Sequence, residues 1–166
     1  MVTNMTTPFY AQSVDDLLTL DQTLTMSGYD FMLGIKEGRY PAPPIGKALG
    51  YQLSEVGDGR IVFRGVPTFD TLNPLGTVHG GWYGTLLDSA MACAVMTKVP
   101  KGKIYTTLEY KINIIRSIPV GAAIEAIGET DHAGRSTGVA TGRIVGVSDG
   151  RLYATGSTTC LIMAPK

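Results

Sequence analysis

The stretch from Trp82 to Met96 is apolar almost all the way round, and its one charged side chain is Asp88. A helix with no polar face has no side to present to water, so it must be enclosed by protein. It is too short and too interrupted to cross a bilayer, which takes about 20 apolar residues. The rest of the chain therefore has to form a wall around a helix. Burying an unpaired carboxylate costs several kcal/mol. Asp88 is thus either paired across a subunit interface, capping a neighbouring backbone, or placed for chemistry.

The wall is legible as strands. Leu49 to Glu55 alternates, Gly57-Asp58-Gly59 turns, and Arg60 to Val66 returns, which reads as a hairpin. Thr106 to Arg116 alternates with period two and leads into a turn at Pro119-Val120-Gly121. Three more strands, Ala122 to Glu129, Gly138 to Ser148 and Leu152 to Met163, are rich in Val, Ile and Thr, with turns at His132-Ala133-Gly134 and Asp149-Gly150. About six strands joined mostly by hairpin-sized turns predict an α+β fold, one antiparallel sheet curled round one central helix. Small helices precede it. Ser13, with Asp16 at the capping-box position, opens one that runs to about Met26, and a second covers Tyr29 to Glu37 and stops at Gly38. Pro41, Pro43 and Pro44 then predict an extended segment. The expected division is a helical extension, residues 1–40, packed on a main domain, residues 41–166.

Composition narrows the class of partner. The 166 residues carry 14 Lys+Arg against 14 Asp+Glu, a formal net charge of zero. That leaves no broad basic surface for nucleic acid and no polybasic anchor for a membrane, and the short neutral N-terminal segment is a poor DNA reader. Cys93 and Cys160 lie far apart, without the close Cys/His spacing of a zinc site, so neither a metal nor a disulfide is expected. Met1 to Tyr10 has neither a basic start nor a continuous apolar run, and a cytoplasmic protein is the expectation.

A turn-rich loop, Asn73-Pro-Leu-Gly-Thr-Val-His79-Gly80-Gly81, enters the central helix. Unpaired N–H groups at a helix start carry partial positive charge, and glycine lets a ligand approach them closely, so the Gly80 amide is a candidate oxyanion donor. The alternative is simply a tight turn. Ser89 is no catalytic nucleophile: it faces about 100° away from Asp88 on a helix, and no nucleophile-elbow sequence occurs.

Taken together, the Asn73 to Gly81 loop, the Leu-Asp88-Ser-Ala step and Tyr105-Thr-Thr-Leu-Glu-Tyr-Lys-Ile-Asn113 resemble the PaaI-like acyl-CoA thioesterases of the hotdog superfamily, a likeness spanning about Pro41 to Met163. The resemblance implies a hotdog fold and thioester hydrolysis without metal or redox cofactor, coenzyme A entering as part of the substrate. It implies that Asp88 is nucleophile or general base, that Asn73 orients water or thioester, and that Gly80 donates to the thioester oxygen. His79 would support the loop, and Thr107 would help hold the water. Arg135, Ser136 and Thr137 would approach the nucleotide end of coenzyme A, while Gly81, Trp82 and Tyr83, with Phe31 and Met32, would border the acyl group. Ser117 stands where many relatives have proline, which leaves the local turn open. A non-catalytic acyl-CoA-binding or regulatory hotdog is the alternative.

Spacing adds a constraint of its own. Gly80 and Asp88, eight residues apart on one helix, are separated by about 12 Å, whereas donor and attacker must both lie within about 3–3.5 Å of one carbonyl. A two-fold homodimer with antiparallel helices would join Asp88 of one subunit to Gly80 and Asn73 of the other. The family resemblance extends this to a homotetramer.

Overall fold

The structure, a computed structural model, describes residues 8–165. Met1 to Thr7, most of the segment read above for a targeting signal, lie outside the described residues. Three short helices come first, α1 (Leu20–Leu24), α2 (Gly28–Lys36) and α3 (Pro44–Leu49). A hairpin of β1 (Tyr51–Gly57) and β2 (Arg60–Gly65) follows, then the long helix α4 (Gly80–Met96). Four strands complete the fold, β3 (Ile104–Ile114), β4 (Ile124–Ala133), β5 (Thr137–Gly146) and β6 (Leu152–Met163). They form one six-stranded antiparallel sheet in the order β1-β2-β4-β5-β6-β3, curved around α4 in a hotdog arrangement. No helix among the described residues is long and apolar enough to cross a membrane.

Two expectations for the N-terminal region are corrected. The helix foreseen from Ser13 to Met26 is instead a single 3₁₀ turn, Val14–Asp16, followed by α1. Leu17 is extended, and Thr19 opens a new helix because its hydroxyl accepts from the Gln22 amide while Gln22 reaches back to the Thr19 amide. The Pro41 to Pro44 segment ends sooner than foreseen: Pro44 takes the first position of α3, where its fixed φ and missing N–H suit a helix start.

What fixes the depth of α4 is a row of glycines. Gly128, Gly142 and Gly156 stand side by side in register across β4, β5 and β6, directly beneath Ala90 and Met91 of the helix. A side chain at Gly128 would overlap the Ala90 carbonyl, whereas one at Gly142 would meet the flexible Met91 side chain at 2.7 Å. Helix backbone cannot yield as a methionine can. Gly128→Ala is therefore expected to destabilise the fold by about 2–3 kcal/mol, roughly a 5–10 °C drop in Tm, and Gly142→Ala by clearly less. Parallel thermal melts check the order; equal melts would refute this account of the helix seat.

Along the edge of the sheet, β3 runs antiparallel to α4. The period-two alternation foreseen for it is interrupted, because a β-bulge at Leu108 shifts the register with β6 between Thr107 and Glu109. Before the bulge Thr107 faces the helix, with Tyr105 on the same side; after it Tyr110 and Ile112 cover Gly84, and Ile114 covers Gly80.

Candidate active site

Asp88 is half-buried midway along α4, and Thr107 Oγ1 donates to its Oδ1 at 3.1 Å. Burial disfavours the ionised carboxylate and raises its pKa above the ordinary range, while the Thr107 hydrogen bond pulls it partly back. Oδ1 is thus the carboxylate oxygen that Thr107 holds.

Ser89, Tyr51, Cys93 and Tyr105, none of them a candidate site residue from the sequence, complete the surroundings. The Ser89 hydroxyl shares a 3.0 Å hydrogen bond with Tyr51. Cys93, one turn further along α4, is hydrogen-bonded to Tyr105, and burial pushes its thiol up to about 12. A thiol held that high stays protonated and is a packing group rather than a nucleophile. Two signals could have found these residues: Ser89, Cys93 and Met96 share a helical face at i, i+4 and i+7, and Tyr105 is one two-residue step from Thr107. Cys93, Met96, Tyr105 and Tyr51 form one wall of an apolar cavity of about 250 Å³, and α2 with its following turn forms the other. Phe31 and Met32 are among its lining residues.

Trp82 and Tyr83, expected to border the acyl group, do not line this cavity. Both are buried in the core, where the Trp82 indole donates to the Leu49 carbonyl at 2.9 Å. The Tyr83 hydroxyl accepts from the Ile118 amide at 2.8 Å and donates to the Arg116 carbonyl at 3.2 Å. Those two bonds clamp the turn around Ser117, so the turn is held by a tyrosine without a proline at that position.

At the start of α4 the loop residues are sorted by their hydrogen bonds. His79 caps the helix, its Nδ1 accepting from the Gly81 amide at 2.8 Å. That commits the Gly81 N–H to the cap, so Gly81 is not an open donor; Gly80, first residue of the helix, has no carbonyl four residues back to bind within it. Asn73 folds its own loop: Oδ1 accepts from the amides of Leu75 and Thr77, and Nδ2 donates to Thr77 Oγ1 at 2.8 Å. One of its two Nδ2 hydrogens remains for a ligand. Within one protomer Asn73, His79 and Gly80 belong to the beginning of α4 and Asp88 to its middle, so the structure does not bring them together.

Arg135, Ser136 and Thr137 are exposed at the tip between β4 and β5, where Lys103 Nζ donates to the Arg135 carbonyl at 2.8 Å. Thr107, Cys160 and Gly138 lie in register across three strands, so this tip is offset from Asp88 by roughly 10 Å or more. Among the described residues, no three His, Cys, Asp or Glu side chains are grouped to hold a metal ion.

Residues 75–153 match the Thioesterase superfamily. A variant of the phenylacetic acid degradation protein PaaI from Thermus thermophilus is 30% identical, with a TM-score of 0.65 over 71% of this chain and 97% of that one. The chain belongs to the PaaI-like thioesterase family. Two further similar structures are a phenylacetic acid degradation-related protein from Ralstonia eutropha JMP134 (27% identity, TM-score 0.71, 79% of this chain and 98% of that one) and a hypothetical thioesterase protein from Streptococcus pneumoniae TIGR4 solved with coenzyme A (26%, 0.64, 72% and 91%). No curated protein sequence matches significantly. This PaaI-like hotdog protein is therefore a thioester hydrolase. Its matched segment takes in Gly80, Asp88, Thr107 and the Arg135 to Thr137 tip, and leaves out Asn73 and the three N-terminal helices.

Proposed function

We propose that the protein hydrolyses acyl-CoA thioesters at a site shared between two subunits, with Asp88 as the base that activates water. The observation that carries this is a single carboxylate in an otherwise apolar helix, held through one oxygen by Thr107, which is one two-residue step along β3 from Tyr105 in the wall of an apolar cavity. Asp88 Oδ2 takes a proton from water as the water oxygen bonds to the thioester carbon. The negative charge moves to the thioester oxygen, where the Gly80 N–H of the partner subunit receives it, and the remaining Asn73 Nδ2 hydrogen orients the reactants. When the C–S bond breaks, the sulfur leaves with the proton held on Asp88, giving a carboxylic acid and free coenzyme A. No metal or redox cofactor enters this sequence.

With Gly80 and Asp88 in these roles the separation along α4 calls for a dimer, and the edge strand offers the means. Among the described residues β3 ends the sheet with one edge unpaired, and it exposes Leu108 (59%), Tyr110 (46%) and Ile114 (48%), a template for pairing with a second copy. Coenzyme A bound to the Streptococcus pneumoniae protein supports the choice of thiol, and the exposed Arg135 to Thr137 tip beside Lys103 offers charge and hydroxyls to its phosphates.

Steady-state hydrolysis of an acyl-CoA panel, followed by release of free thiol, tests the reading; binding without turnover across the panel selects the non-catalytic alternative. Asn73→Ala is expected to lower kcat by about tenfold or more, because it orients rather than reacts. Asn73→Asp, which keeps the Oδ1 turn but loses the donor, should show whether the loss comes from the donor or the loop. A surface-like response to both removes Asn73 from the site.

The pH profile follows from the sign of the Asp88 shift. A base must be ionised, so activity falls as pH drops through a pKa that burial has raised. Thr107→Val removes the hydrogen bond that favours the ionised form, and the acid limb of kcat/KM is expected to move to higher pH. An unmoved or lowered limb would remove Thr107 from this role.

A further inference from the structure

Every described residue lining the 250 Å³ cavity is uncharged, and the polar tips among them are already engaged. The Tyr51 hydroxyl is bonded to Ser89, the Tyr10 hydroxyl to the Tyr51 carbonyl, and Tyr105 to Cys93. A charged group entering this space would lose its water and find no counter-ion, which is prohibitive; an apolar group would only leave water. The cavity also lies where a substrate could use it. Tyr105 in its wall and Thr107 on Asp88 share one face of β3, a two-residue step of about 6.8 Å apart.

Resting on the thioesterase reading above, we infer that this cavity receives the acyl group, and that the substrates are uncharged, apolar acyl-CoA thioesters of about ten carbons, straight-chain or aryl-alkyl. The length comes from volume. An apolar cavity of about 150 Å³ takes benzene, about 25 Å³ per carbon, so 250 Å³ takes about ten. The selecting wall is contributed by the N-terminal part of the chain: apart from Cys93, Met96 and Tyr105, every lining residue precedes the segment matched to the thioesterase superfamily. The Thermus thermophilus PaaI chain aligns over nearly its whole length yet covers 71% of this one, so more than a quarter of this chain has no counterpart there. Nine of the lining residues, from Tyr10 to Gly46, precede β1 and so stand outside the sheet, and on this reading they set the chain length.

The test uses S-alkyl-coenzyme A thioethers of two to sixteen carbons, which cannot be hydrolysed. Affinity is expected to rise about fourfold per added methylene and to level off near ten carbons. Ala42→Leu adds three carbons of side chain to the wall and should bring the plateau to about seven; Ile35→Ala opens the same space and should move it to about thirteen. A thioether of plateau length ending in a carboxylate should bind wild type at least about a hundredfold more weakly than its methyl-ended isostere, a comparison that needs no variant. Affinity independent of length, or equal binding of the carboxylate-ended ligand, overturns the inference. Hydrolysis of the matching thioesters is measured separately. Length-dependent binding without turnover would refute the hydrolase reading alone, and turnover with a flat binding profile would refute this one alone.

Discussion

Asp88→Asn is expected to lower kcat by at least about a hundredfold on any acyl-CoA the wild type hydrolyses, the scale for removing a positioned base. Asparagine is nearly isosteric and still accepts from Thr107, so the loss is of chemistry and not of shape. Stability gives the independent readout. Burial raises the Asp88 pKa, so the folded state disfavours the ionised form; the cost is present above that raised pKa and vanishes as pH falls through it. At neutral pH the neutral asparagine should therefore melt no lower than wild type, and the difference should shrink in acid. A purely structural carboxylate, paired across an interface, predicts the reverse, a variant that is less stable and fully active. Near-wild-type turnover in folded Asp88→Asn would falsify the assignment of Asp88 as base.

The second large effect is one of geometry. With Asn73 and Gly80 supplied by one subunit and Asp88 by the other, a mixed dimer of Asn73→Ala with Asp88→Asn has one site carrying both lesions and one carrying none. Its activity is expected near half that of wild type per dimer, far above either parent homodimer. If each site were built within one chain, every site would carry one lesion, and the mixed dimer would do no better than the Asn73→Ala homodimer. Differently tagged variants are co-expressed, the doubly tagged species is isolated, and its turnover is measured with a control for subunit exchange.

Much of this was legible because the fold is dictated by a helix with no polar face. An all-round apolar Trp82 to Met96 admits few surroundings, and the Val- and Thr-rich segments supplied the wall; β6 falls on the foreseen Leu152 to Met163. The site was partly legible for the same reason, since a lone Asp88 in that helix calls for an explanation. What stayed hidden depends on side chains meeting across elements. Nothing local says that the Trp82 indole binds a carbonyl from α3, or that the Tyr83 hydroxyl holds the turn at Ser117. The glycine row is visible in hindsight as Gly128, Gly142 and Gly156 at equal spacings of fourteen, but only hairpin register turns that spacing into adjacency. The Leu108 bulge has no signature in a sequence that alternates plausibly either side of it.

That bulge bears on how relatives are to be compared with this chain. Since Thr107 before it and Tyr110 after it both face the helix, Leu108 is the surplus residue: without it, inward and outward positions would still alternate. A homologue whose strand is one residue shorter can therefore keep both the Asp88 partner and the cover over the helix start, and the gap in its alignment belongs at Leu108. Placed two positions earlier or later, the same gap would assign the hydroxyl that holds Asp88, or the ring that covers Gly84, to the wrong residue.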